Sequence, residues 1–110
     1  MPIDPYYQNI SMMNISMSIN SGLAHIACTV TGQPMVTQIN ATGVLERLNL
    51  DNTYTLIKTW SGLSATGSNF FWSADYYVTT GYTYRFTLTE TSYLNGVPET
   101  VSGNNSKYAN

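Results

Sequence analysis

Two residues of the chain could in principle act as nucleophile and base: Cys28 and His25, three positions apart in AHIACTV. Nucleophilic catalysis needs the base within hydrogen-bond reach of the nucleophile. Side chains on a strand alternate between its two faces, so an odd spacing sends these two to opposite sides. His25 shares its row with Leu23, Ala27 and Thr29, while Cys28 shares one with Ala24, Ile26 and Val30. His25 therefore reads as a surface histidine and Cys28 as a small buried hydrophobe, with an intermolecular bridge or a reactive thiol as the alternative. One Cys and one His on opposite faces make no zinc site. The acids Asp4, Glu46, Asp51, Asp75, Glu90 and Glu99 are scattered, with no local pairing of the kind glycoside hydrolysis uses. Asp51-Asn52-Thr53 offers too few oxygens for calcium and reads as a turn. No phosphate-binding glycine loop is present. The expectation is a chain with no catalytic residues, no cofactor and no metal.

Two other constellations remain. Lys58 and Glu90 interrupt apolar rows: Lys58 stands between Leu56 and Trp60 in parity, with Tyr54 behind, and Glu90 follows Phe86 and Leu88. A lone buried charge is very costly, so each needs water or a partner. Three arrangements satisfy that demand. The rows twist outward and both groups reach water, or Lys58 and Glu90 form a partly buried pair, or Lys58 joins an Asn in an isopeptide bond assisted by Glu90. The second constellation is Phe71, Asp75 and Tyr77, with Ser73, on the row of one strand that faces away from its apolar row. Two rings flanking a carboxylate suit a sugar that stacks on the rings and donates to the acid, or a protein partner. The bland alternative is that neighbours such as Thr side chains or Tyr6-Tyr7 cover the rings.

Composition narrows the setting. At 110 residues there is room for one domain, and 43% apolar residues suffice for a core. Charged residues are 9%, against about 25% in an average soluble protein. Thr, Ser, Asn and Tyr replace them, a surface more common on extracellular modules and viral structural proteins. The four basic residues, Arg47, Lys58, Arg85 and Lys107, do not cluster, which argues against nucleic acid and anionic membranes. No apolar run approaches the length of a membrane span, and MPIDPYYQN lacks the basic and apolar parts of a signal peptide.

The elements that must position these residues are strands. Period-two alternation recurs along the chain, and no window carries a helical stripe. Strands are expected at about Gln8 to Asn20, with a bulge at Met12-Met13, then Leu23 to Thr31, Met35 to Leu48, Thr53 to Trp60, Phe70 to Val78, Tyr82 to Thr91 and Val97 to Gly103. Ser61 to Asn69 reads as a polar loop. The organisation is an arm over 1–9, one domain over 10–104 and a fraying polar tail over 105–110. About seven short strands with turns every 8–12 residues fit an all-β, Ig-like or fibronectin-III-like antiparallel sandwich of two sheets. Val78-Thr-Thr-Gly81-Tyr-Thr-Tyr84-Arg-Phe86 resembles the corner of fibronectin type III domains. That likeness makes Tyr84 the structural corner tyrosine, its ring buried and its hydroxyl folded back on the preceding bend.

A wider set of residues resembles a group of small secreted proteins of unknown function from Gram-positive, Clostridia-type bacteria. The set comprises Ile15 to Ile19, Gly22-Leu23-Ala24, Leu45-Glu46-Arg47, Trp60-Ser61-Gly62, Gly81-Tyr82-Thr83-Tyr84-Arg85 and Asn95-Gly96-Val97-Pro98-Glu99. The resemblance implies a secreted sandwich, with any native signal peptide removed, and brings no catalytic residues. The expected function is thus a non-catalytic secreted or cell-surface interaction module, binding a protein or self-associating through its sheet edges. A carbohydrate-binding module is the alternative, and a phage or viral structural domain a further one.

Overall fold

The structure, a computed structural model, describes residues 8–110. Seven strands run in chain order: β1 (Ile10–Asn20), β2 (Leu23–Gly32), β3 (Val36–Leu48), β4 (Tyr54–Thr66), β5 (Asn69–Tyr77), β6 (Thr83–Leu94) and β7 (Val97–Tyr108). They form two antiparallel sheets, β1-β2-β5 and β4-β3-β6-β7. This is an all-β, two-sheet sandwich of the Ig-like or fibronectin-III-like kind, as the alternation predicts. Each sheet turns one parity inward. Met13, Ile15 and Met17 of β1 and Ala24, Ile26, Cys28 and Val30 of β2 meet Ile39, Leu45, Tyr84, Phe86 and Leu88 of the facing sheet.

Where β4 and β5 face each other, the core is aromatic. Trp60 lies edge-on to Trp72 at 5.3 Å and to Tyr76 at 5.9 Å, and Phe86 stacks on Trp72 at 5.8 Å. Rings at these separations attract beyond their buried area. Gly43 on β3 makes the cluster fit: a Cβ there would sit 2.6 Å from the Phe86 ring. Tyr84 is buried, and its hydroxyl donates to the Thr79 carbonyl at 2.7 Å, tying β6 to the bend after β5. Burial pushes its phenol pKa above the ordinary value.

Several boundaries differ from the sequence reading. The bulge in β1 falls between Ile10 and Met12, earlier than Met12-Met13, so Ile10 stays buried and Met12 points out. β4 does not stop at Trp60. Two bulges interrupt its pairing with β3, opposite Ala41/Gly43 and Leu45/Glu46, and Gly62 takes the positive φ that the first requires. The strand can then run through the supposed polar loop to Thr66. The expected tail is also strand: β7 pairs with β6 as far as Tyr108↔Thr83, and Ala109 is buried, exchanging hydrogen bonds with Gly81 and Tyr82. Asn9, placed in the arm, is buried as well. Its amide donates to the carbonyls of Ser92 and Val97, and Glu99 accepts the N–H groups of Gln8 and Asn9.

Gly43→Ala is expected to lower stability by about 1–3 kcal/mol, because the Phe86 ring is packed against both Trp60 and Trp72 and has little room to yield. Gly103→Ala should cost less, since its new Cβ would meet the flexible Met13 thioether. Urea midpoints of the two variants test the order; a harmless Gly43→Ala would contradict it.

Candidate functional site

The inward parity of β5 is Phe70, Trp72, Ala74 and Tyr76, which leaves Phe71, Ser73, Asp75 and Tyr77 on the outer face of the β1-β2-β5 sheet. Phe71 is 72% exposed and Tyr77 76%. Across β2 their partners are Thr29, Ala27, His25 and Leu23, in that order. The register therefore sets His25 opposite Asp75, and Nδ1 of the ring meets Oδ1 of the carboxylate on the surface. Both side chains are more than half exposed, so the pair is worth little as a stabiliser. It places an imidazole beside the Asp75 carboxylate, which lies between the two rings, two residues from Tyr77 and four from Phe71. The sequence places His25 on an outer face but offers no register between β2 and β5, so its partnership with Asp75 was not legible. The reading that Tyr6-Tyr7 cover these rings lies outside the described residues.

The opposite outer face, on β4-β3-β6-β7, has a different character. Thr89 and Ser102 share a hydrogen bond across β6 and β7 at 2.9 Å, and Thr91 and Thr100 share one at 2.8 Å. At one end Arg85 donates to Glu46 at 2.8 Å and lies over the Tyr54 ring. These hydroxyls are paired with one another, while Leu56 of β4 and Tyr108 of β7 are the large apolar side chains most exposed on the outer strands of this sheet after Val97. A wide, open hollow at the end of the sandwich, lined by Leu48, Leu50, Tyr82 and Tyr108 among others, includes no acid, histidine or thiol in its lining.

His25 and Cys28 do project from opposite faces: His25 is on the surface, and Cys28 is fully buried with its thiol pKa pushed up to about 12 by that burial. Among the described residues no cluster of three or more His, Cys, Asp or Glu side chains could hold a metal ion. The Lys58–Glu90 pair is not formed. Lys58 keeps the parity of Trp60, opposite Leu45 of β3, yet is exposed on the edge strand β4, while the bulge at Ile57 moves Tyr54 and Leu56 to the outer face. Glu90 takes the other course and is 0% exposed, between Ala41 of β3 and Val101 of β7. An exposed lysine and a fully buried carboxyl also leave no geometry for the isopeptide reading. Among the described residues neither Glu90 oxygen has a hydrogen-bond partner. The Ser92 hydroxyl and the Val101 backbone N–H lie close enough to favour the charged form a little, without well-formed bonds, and desolvation outweighs them.

No protein-family model matches the chain, and no curated protein matches it. Solved structures do. R. palustris CsgH is similar over 84% of this chain and 87% of its own, with a TM-score of 0.50 at 10% identity. Bacteroides uniformis beta-glucuronidase 2 is similar over 88% of this chain but only 13% of its own, with a TM-score of 0.55 at 15% identity. Spo0M, a sporulation control protein from Bacillus subtilis, is similar over 89% of this chain and 49% of its own, with a TM-score of 0.52 at 9% identity. At these identities the likeness is one of fold.

Burial raises the Glu90 pKa to about 7 from an ordinary 4.5. The folded state then holds a proton that the unfolded state releases between those two values, so stability falls as pH rises through that window and levels off above it. Glu90→Gln keeps the shape without the charge. It is expected to flatten this part of the pH profile and to be the more stable protein at pH 8, by on the order of 2 kcal/mol. Urea titrations of both proteins at acid and alkaline pH check this; parallel profiles would contradict it.

Proposed function

We propose that the chain is a non-catalytic interaction module, secreted or displayed at a cell surface, that recognises a protein through the outer face of its β1-β2-β5 sheet. The observation that carries this reading is the exposure of Phe71 and Tyr77 on one regular strand, with Asp75 between them and paired with His25. Exposed aromatics of this kind are what protein interfaces enrich. The other face of the sandwich uses its hydroxyls on itself. The low charge of the sequence supports an extracellular setting, in line with the small secreted proteins of Gram-positive bacteria that it resembles. A carbohydrate platform is the second reading, favoured by the two rings flanking a carboxylate. Two features weigh against it. The rings stand six residues apart, about 20 Å along the strand, and Asp75 already has a partner in His25.

A photo-reactive residue at position 77 is expected to cross-link to protein when the module is added to the secreted and surface proteins of its source cells. The same residue at position 89, on the hydroxyl face, should give little. Equal yields from both faces would overturn the assignment of the working surface. Affinity electrophoresis through soluble polysaccharides separates the two readings: retardation that Tyr77→Ala abolishes would replace the protein reading with the sugar one.

A further inference from the structure

A two-sheet sandwich has four edge strands, and here they are treated differently. Edges are natural templates for pairing unless bulges, Pro, Lys or a covering group blunts them. β4 carries two bulges and the exposed Lys58. β7 carries Pro98 and Lys107. β1 has a bulge, and the Asn105 amide caps its edge by donating to the Ile15 carbonyl at 2.8 Å. Among the described residues β5 has none of these: it pairs with β2 in unbroken register from Asn69 to Tyr77, without Pro, Lys or Arg.

The hydrogen-bond parity of β5 is set by the bonds at its two ends. Val78 N–H donates to Gly22 C=O, and Gly32 N–H donates to Ser68 C=O. In an antiparallel ladder bonded pairs alternate along the strand. Hence Phe70, Trp72, Ala74 and Tyr76 bond to β2, and the N–H and C=O groups of Phe71, Ser73, Asp75 and Tyr77 point to the free edge. The residues that show their side chains on the outer face thus also offer the open backbone groups.

The segment FFWSADYYV, Phe70 to Val78, is close to a palindrome in side-chain class, centred on Ala74. We propose that β5 pairs with β5 of a second copy, antiparallel, about a two-fold axis through Ala74, which joins two three-stranded sheets into one of six. This deepens the module reading above and rests on it, by naming the chain itself as a partner of that surface. In this register Phe71 lies opposite Tyr77 of the other copy and Ser73 opposite its Asp75. On the inner side Trp72 lies opposite Tyr76 and Ala74 opposite Ala74. Every aromatic from Phe71 to Tyr77 then faces an aromatic, and such cross-strand pairs are individually favourable. Shifting the axis to Ser73 would set Phe71 against Asp75, and shifting it to Asp75 would oppose the two carboxylates. The axis at Ala74 avoids both.

Sedimentation velocity over a concentration series, on the full chain, tests the proposal with two charged variants. In Phe71→Lys/Tyr77→Lys the register sets lysine against lysine, and in Phe71→Glu/Tyr77→Glu it sets glutamate against glutamate. All four substitutions lie at exposed positions, so the fold should persist, which circular dichroism verifies. Wild type is expected to form dimers as concentration rises. Each charged variant should self-associate at least about tenfold more weakly, and an equimolar mixture of the two should recover dimers. A wild type that stays monomeric at millimolar concentration overturns the proposal, as do variants that dimerise as well as wild type or a mixture no better than its parts. Cross-links from position 77 to another protein, found with a monomeric wild type, would leave the module reading standing and remove only the self-pairing.

Discussion

The constraint on which the structure turns is the parity of β5. Phe70, Trp72 and Tyr76 must lie inward, because the Trp72 and Tyr76 rings meet Trp60 and Phe86 across the gap between the sheets. A one-residue slip would exchange every side chain between faces. It would put Phe71 and Tyr77 inside and leave the aromatic cluster without its partners. The core therefore dictates which residues are displayed. Phe71, Ser73, Asp75 and Tyr77 are exposed because their neighbours cannot be. The same parity commits the backbone of the inward residues to β2 and leaves that of the outward ones open.

Much of this was legible in the sequence, for a clear reason. Alternation encodes face, and face survives into the fold: Met13, Ile15, Met17, Ile26, Cys28, Phe86 and Leu88 all point inward as their rows predict. Tyr84 is buried with its hydroxyl on the Thr79 carbonyl, a contact between residues five apart that a local motif can carry. What alternation cannot encode is the position of a bulge. An unbroken row in β4 would keep Tyr54, Leu56, Lys58 and Trp60 on one face. The extra residue at Ile57 reverses Tyr54 and Leu56, while Lys58 keeps the parity of Trp60 and is exposed because β4 is an edge strand. The same limit shortened β4, since Ser61-Gly62 looks like a loop until its bulge against Thr42 is seen. The end of β7 is hidden in the sequence because GNNSKY has no apolar row, although β6 supplies its pairing.

Register between strands distant in sequence was the other missing quantity. It sets His25 opposite Asp75 and Glu90 between Ala41 and Val101. The consequence is plainest at Glu90. Its row places it on the core face, but only the assembled sheet shows that no cation among the described residues reaches it. A carboxyl sealed among β3, β6 and β7, its pKa raised to about 7 by burial, favours its neutral form below that pH, and the fold loses stability as pH rises toward it.

The most direct measurement is amide hydrogen exchange, residue by residue, along β5 in dilute protein. Parity predicts a sawtooth: slow exchange at Trp72, Ala74 and Tyr76, whose N–H groups bond to β2, and fast exchange at Phe71, Ser73 and Asp75, which face the open edge. Uniform protection along the strand, or protection of the odd-numbered residues at dilution, would contradict the account.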